Sequence, residues 1–252
     1  DLVTDFRDAG LSHLLAVSGA NVAFVLVLAG PLLRRLRLGP RVLGGATVLV
    51  LFGTMTRWEP SVLRATVMAA AVLVATLLGR PAPAGRVLAL AALALLVVDP
   101  FLIHSVGFLL SCGACAGIVL LAPWLAVRLP GPAAVREALS VTLAAQVGVA
   151  PVLLPVFGTV PMISLPANLL AVPVVGPLTI WGLVAGLVGG IAGRSVASVL
   201  QLPTLSLLRW VEVVARTAAE TPLPLDARGA WGLAAIGCAL AFGLGVARAG
   251  RR

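Results

Sequence analysis

The chain has 252 residues, 60% of them apolar and only 11% charged, and its net charge of +9 is carried by arginine alone. Its mean hydropathy is +1.12. Soluble domains run at about 45–50% apolar and about 25% charged, so the composition argues against a water-soluble globule, against a soluble basic nucleic-acid-binding fold, and against disorder, which needs low hydrophobicity. What remains is an all-α, polytopic transmembrane helical bundle. Each span needs about 20 apolar residues, which leaves room for about 8–9 of them. Cys112, Cys115 and Cys238 all lie in apolar runs and give no disulfide framework. The chain opens on Asp1 with no initiator Met and no signal-peptide pattern, and reads as a single domain, 1–252, taken from a longer protein.

The first apolar run, Leu14–Leu33, is followed by Arg34, Arg35, Arg37 and Arg41. The second, Val42–Thr56, ends at Arg57-Trp58-Glu59-Pro60. The third, Ser61–Leu78, is interrupted by Arg64 and closes in the Pro/Gly turn from Gly79-Arg80 to Gly85-Arg86. The fourth, Val87–Val98, stops at Asp99-Pro100, and the fifth is Phe101–Val127. After a loop from Arg128 to Arg136 comes the sixth, Ala138–Phe157. The seventh stretch, Met162–Ala192, is too long for one straight span and carries Pro166, Pro173 and Pro177. Proline removes a backbone donor, so the expectation is a broken segment: a half-helix near Met162–Ala171, then a span near Val174–Gly193. Residues 205–220 differ, because Arg209, Glu212, Arg216 and Glu220 share one helical face and Leu205, Leu208, Val211 and Ala215 another. This reads as an interfacial amphipathic helix. A last span, Ala230–Val246, precedes Arg248, Arg251 and Arg252.

Arginine-rich loops follow the first, third and fifth runs, which places them in the cytoplasm and Asp1–Leu11 outside. The C-terminal arginines also ask for the cytoplasm. Either Leu205–Glu220 crosses the membrane or the proline-rich stretch counts differently. Gly113 with Gly117, and Gly182 with Gly186 and Gly190, form small-residue stripes suited to helix contact.

Polar groups inside spans are costly and should face protein or water. They are His13, Ser18, Asn21, Arg64, His104, Ser111, Gln146 and Asn168, with Asp99 at a border. Each has a plain structural reading beside a functional one. Arg64 either snorkels from one turn below Pro60 or faces a wet path. Gln146 makes an interhelical hydrogen bond or lines that path. Asp99 caps a turn, and Asn168 satisfies freed backbone groups or borders water. Cys112-Gly113-Ala114-Cys115 has redox spacing without a thioredoxin-like context. Two histidines without H-E-x-x-H give no zinc site, no phosphate-loop pattern occurs, and a Ser–His nucleophile pair lacks a Gly-x-Ser-x-Gly elbow. No catalytic residue, metal or cofactor is therefore assigned.

The block Gly10-Leu11-Ser12-His13-Leu14-Leu15-Ala16-Val17-Ser18-Gly19-Ala20-Asn21-Val22 resembles the opening of the ComEC competence domain. Arg64-Ala65 with Met68-Ala69, Gly79-Arg80, Asp99-Pro100, Gly107-Phe108-Leu109-Leu110-Ser111 and Gln146-Val147-Gly148 follow in the family's order. So do Pro166-Ala167-Asn168-Leu169-Leu170-Ala171-Val172-Pro173 and Leu208-Arg209-Trp210-Val211-Glu212. The chain departs from the pattern at Ala20-Asn21, where relatives often carry Leu-His, and at Leu109, where they carry Gln. Asparagine keeps hydrogen bonding but does not titrate.

The resemblance implies a multi-pass channel of the cytoplasmic (inner) membrane that passes single-stranded DNA inward during natural transformation, without enzymatic activity of its own. The nuclease domain that such relatives carry downstream is not among these residues. The implied partners are single-stranded DNA, the lipid bilayer, DNA-receptor and cytoplasmic ATPase competence proteins, and a second copy in a homodimer. Arg57, Arg64, Gln146, Asn168, Ser18 and Asn21 are the DNA-path candidates. His13, Gly19, Gly79, Arg80, Asp99, Gly107, Ser111 and Pro173 carry the family motifs. Two alternatives stand beside this reading: a small-solute secondary transporter, which calls for inverted repeats, and a non-transporting scaffold for flanking domains.

Overall fold

The computed structural model describes residues 1–158, 160–161, 163–221 and 224–225. The expected span Ala230–Val246, Cys238 and the C-terminal arginines lie outside the described residues. Helices dominate: α1 (Leu2–Asp8), α2 (Ser12–Leu15), α3 (Gly19–Leu33), α4 (Leu38–Met55), α5 (Pro60–Leu77) and α6 (Ala84–Val98). A 3₁₀ turn at Pro100–His104 leads into α7 (Val106–Ala126) and α8 (Ala133–Phe157). Then come a two-residue strand β1 (Val160–Pro161), α9 (Ser164–Ala192), α10 (Arg194–Leu200), α11 (Leu202–Ala219) and β2 (Pro224–Leu225). The strands pair antiparallel, Val160 with Leu225 and Pro161 with Pro224.

Among the described residues five helices (α4, α5, α7, α8 and α9) are long and apolar enough to cross a membrane, and α3 and α6 are shorter apolar helices. The expected all-α character is present; the span count of eight or nine is not reached by these residues. Large apolar side chains such as Leu43, Val97, Val98 and Ile191 are uncovered, the inverse of a soluble fold and the form a lipid-facing surface takes.

The chain divides into two compact units. Unit 1 comprises Asp1–Ala82 and Pro166–Pro222. Its core joins α3, α4 and α5 through Val22, Leu49 and Val62, with Leu26, Phe52 and Leu73 packed around them. Also in this unit, α1 lies against α11, and Phe6, Ala9, Val211, Val214, Ala215 and Ala218 are buried. The amphipathic character of α11 is thus used first inside the protein, while Leu205 and Leu208 stay exposed. On its polar side Arg216 donates to Glu212 at 2.5 Å.

Unit 2 includes α6, α7, α8 and the strand pair. Here α7 and α8 touch backbone to backbone. A Cβ on Gly117 would overlap the Ala144 carbonyl, and one on Gly148 would overlap the Gly113 carbonyl. The Gly113/Gly117 stripe therefore does what its spacing predicts. The other stripe does not: nothing approaches Gly186 or Gly190, and the close contact on α9 falls at Gly189, where an added Cβ would lie 2.7 Å from Ala197 Cβ.

The proline-rich stretch is likewise not broken. α9 runs unbroken from Ser164 to Ala192. Pro166 sits in its first turn, where no helical donor is needed. Pro173 and Pro177 delete two donors, yet apolar helices of this kind tolerate them when neighbouring groups absorb the freed carbonyls. The discontinuity lies instead in the first apolar run. α2 ends at Leu15, Ala16 and Ser18 are extended with ψ of 152° and 159°, and α3 begins at Gly19.

Candidate functional site

The break at Ala16–Ser18 exposes backbone groups that a continuous helix would satisfy. Two are answered at once: the Gly19 N–H donates to Ser61 Oγ at 2.8 Å, and the Asn21 N–H returns to the Ser18 carbonyl at 3.0 Å. Ser61 stands in the first turn of α5, so one side-chain oxygen pins the start of α3 to the start of α5. Arg64 sits one turn further along α5 and is only 5% exposed. Its Nη1 donates to Met68 Sδ at 3.0 Å. Its Nη2 lies 2.9 Å from where a Gly19 Cβ would be, with Ala65 Cβ at 3.0 Å. Arg64 does not snorkel to a surface; the Gly19 position is small because the guanidinium and α5 fill the space.

Beside this junction unit 1 holds a cavity of about 360 Å³. His13, Ser18, Asn21, Thr179 and Glu212 supply its polar lining, and Phe6, Leu14, Leu178 and Val211 part of its apolar wall. The sequence blocks around His13–Asn21 and Leu208–Glu212 thereby meet at one place. His13 is among the exposed residues of α2.

The remaining candidates fall elsewhere. In unit 2, Gln146 Nε2 donates to Ser164 Oγ at 2.8 Å, an interhelical bond as in the first of its two readings. Asn168, in unit 1, has a buried Oδ1 with no hydrogen-bond partner among the described residues. Arg57 is exposed in the α4–α5 turn, where it and Trp58 are left-handed (φ 54° and 55°) and the Trp58 ring covers Gly53.

Several motif residues have local explanations. Gly79 (φ +60°) and Arg80 close α5 through Gly79 N–H to Thr76 O at 3.2 Å and Arg80 N–H to Ala75 O at 2.9 Å. That paired pattern needs a left-handed residue, hence glycine. Asp99 accepts from the Phe101 N–H at 3.0 Å and caps the 3₁₀ turn. Gly107 and Ser111 stand in the first turns of α7, and Pro173 inside α9.

Sequence reasoning missed Ser61, Thr179 and Ser164 as partners. It also missed Trp210, whose Nε1 donates to the Leu170 carbonyl at 3.1 Å and ties α11 to the Asn-Leu-Leu-Ala-Val-Pro block of α9. The Leu-Arg-Trp-Val-Glu block was the available signal for Trp210 and for Glu212.

Membrane-length apolar helices with uncovered apolar surfaces, and few buried polar side chains among the described residues, define an integral membrane protein. The family model described as Competence protein matches residues 1–250, and the chain belongs to that family. It is 29% identical over 222 residues to the uncharacterized protein YcaI of Escherichia coli (strain K12), which covers 81% of this chain and 29% of that one. It is 30% identical over 190 residues to ComE operon protein 3 of Bacillus subtilis (strain 168), covering 74% of this chain and 24% of that one. The chain thus spans less than a third of the length of these relatives. No solved structure gives a significant match.

Proposed function

We propose that this chain forms the membrane part of a channel by which single-stranded DNA crosses the cytoplasmic membrane during natural transformation. It would act as a multi-pass inner-membrane protein without a catalytic step of its own. The observation that carries the reading is the competence-family match across residues 1–250 of a chain with membrane-length apolar helices. The buried Arg64 beside the broken first segment supports it, since a polyanion in a low-dielectric interior needs positive charge held where lipid cannot neutralise it. Asn168 adds an acceptor whose partner water or substrate would supply.

In this reading α11 rests in the membrane interface, with Leu205 toward lipid, Leu208 in the cavity wall and the Glu212–Arg216 pair toward water. A DNA receptor outside, a cytoplasmic ATPase and a second copy of the chain are the partners it calls for.

The test is transformation frequency in cells carrying Arg64→Ala or Asn168→Leu in the full natural protein, with membrane insertion measured alongside. Loss of uptake at normal insertion is the expected result. Unchanged transformation in both variants removes these residues from the path.

A further inference from the structure

The unit 1 cavity carries a set of groups that a phosphate path does not use. Among the described residues that line it none is an arginine. Its one carboxylate, Glu212, is paired with Arg216. A phosphate entering would meet a negative charge and no cation in the lining, which is unfavourable.

What the lining offers instead is hydrogen bonding of both polarities. The Asn21 amide has two donors and an acceptor, the Ser18 and Thr179 hydroxyls give and accept, the His13 ring adds a nitrogen donor, and Glu212 accepts. The remaining wall is apolar and includes the ring of Phe6. Apolar walls with a few convergent polar groups are how proteins hold flat heterocycles. Single-stranded nucleic acids are recognised in the same way, with bases splayed onto apolar or aromatic surfaces and bonded along their edges. The volume of about 360 Å³ lies at the low end of the roughly 300–1,000 Å³ range of small-molecule pockets, which limits the occupant to about one base with its sugar.

We propose that this cavity receives one unpaired nucleobase of the strand while the phosphates remain outside it. The proposal rests on the DNA reading above and names the part of the substrate that this site takes. Because every base presents donors, acceptors and a flat face, a lining of mixed polarity accepts any of them, as a sequence-independent path requires.

The test uses the full natural protein in lipid nanodiscs and two fluorescent strands of roughly a dozen nucleotides, within the range of single-strand site sizes. One is oligo(dT); the other is the same backbone with every base removed. Oligo(dT) is expected to bind about tenfold tighter than the abasic strand, the effect of one base contact. Thr179→Val, which keeps the side-chain shape, and Asn21→Leu are each expected to erase most of that difference and leave abasic binding unchanged. Equal binding of the two strands, or a preference that survives in both variants, overturns the base cavity and leaves the DNA reading standing. Binding of neither strand overturns both. A phospholipid crosslinked in the cavity and not displaced by oligo(dT) assigns the space to lipid and also overturns the proposal.

Discussion

Gly19→Ala is the sharpest test of the α3–α5 junction. The new Cβ would lie 2.9 Å from Arg64 Nη2, 3.0 Å from Ala65 Cβ and 3.2 Å from the Ser61 carbonyl. The guanidinium is the end of a flexible chain and can swing away; the Ala65 methyl and the Ser61 backbone cannot. Overpacking of this kind costs about 1–3 kcal/mol. Separating the helices also stretches the Gly19 N–H to Ser61 Oγ bond, now 2.8 Å, worth about 1 kcal/mol. Alanine regains at most about 1 kcal/mol of helix propensity. The net loss is about 2 kcal/mol, which for a chain of this size lowers Tm by roughly 4–8 °C. Thermal unfolding in nanodiscs, followed by the fluorescence of the five tryptophans, reads it. Gly186→Ala is the matched control: nothing lies within 4 Å of that position, so it is expected to be neutral or to gain up to about 1 kcal/mol. Adding Arg64→Ala to Gly19→Ala relieves only the guanidinium share, because Ala65 and Ser61 stay in place. A Gly19→Ala protein as stable as the parent refutes the close-packed junction.

Gly117→Ala is expected to cost about 3 kcal/mol, at the upper end for overpacking, because its Cβ meets only backbone, the Ala144 carbonyl and Gly148 Cα; the same Tm measurement checks it. Trp210→Phe keeps an aromatic ring but loses part of the indole's bulk and the donor to Leu170 O, now 3.1 Å away, for at least about 1 kcal/mol and faster hydrogen exchange near the start of α9.

Arg64 shows why a structural reading and a functional one need separate tests here. Its burial, the glycine facing it and the serine that pins α3 form one packed unit. Replacing a whole buried pair by apolar groups is often neutral for stability, whereas removing one partner is costly, so insertion and Tm are read beside uptake. A variant that folds normally and fails in uptake therefore isolates the charge itself, and Arg64→Met, which keeps much of the volume, sharpens the comparison.

Hydropathy and turn chemistry alone determined the class of protein, the order of the helices and most of their ends. Residues 42–56, 61–78 and 138–157 became α4, α5 and α8 within a few positions, because an apolar run of that length has one way to satisfy its backbone in lipid. Gly79-Arg80 and Asp99-Pro100 were legible as stops because left-handed caps and aspartate turns act locally. The stretch with Pro173 and Pro177 misled, since a missing donor breaks a helix only where nothing nearby absorbs the freed carbonyl. The real break, at Ala16–Ser18, leaves no local signature, because it depends on a serine oxygen contributed 42 residues later. The same holds for the cavity. His13, Ser18 and Asn21 were visible as polar residues in an apolar run, but Thr179 and Glu212 join them only through the docking of α9 and α11. Contacts at such sequence separations are decided by how helical surfaces fit, and no local pattern records that fit.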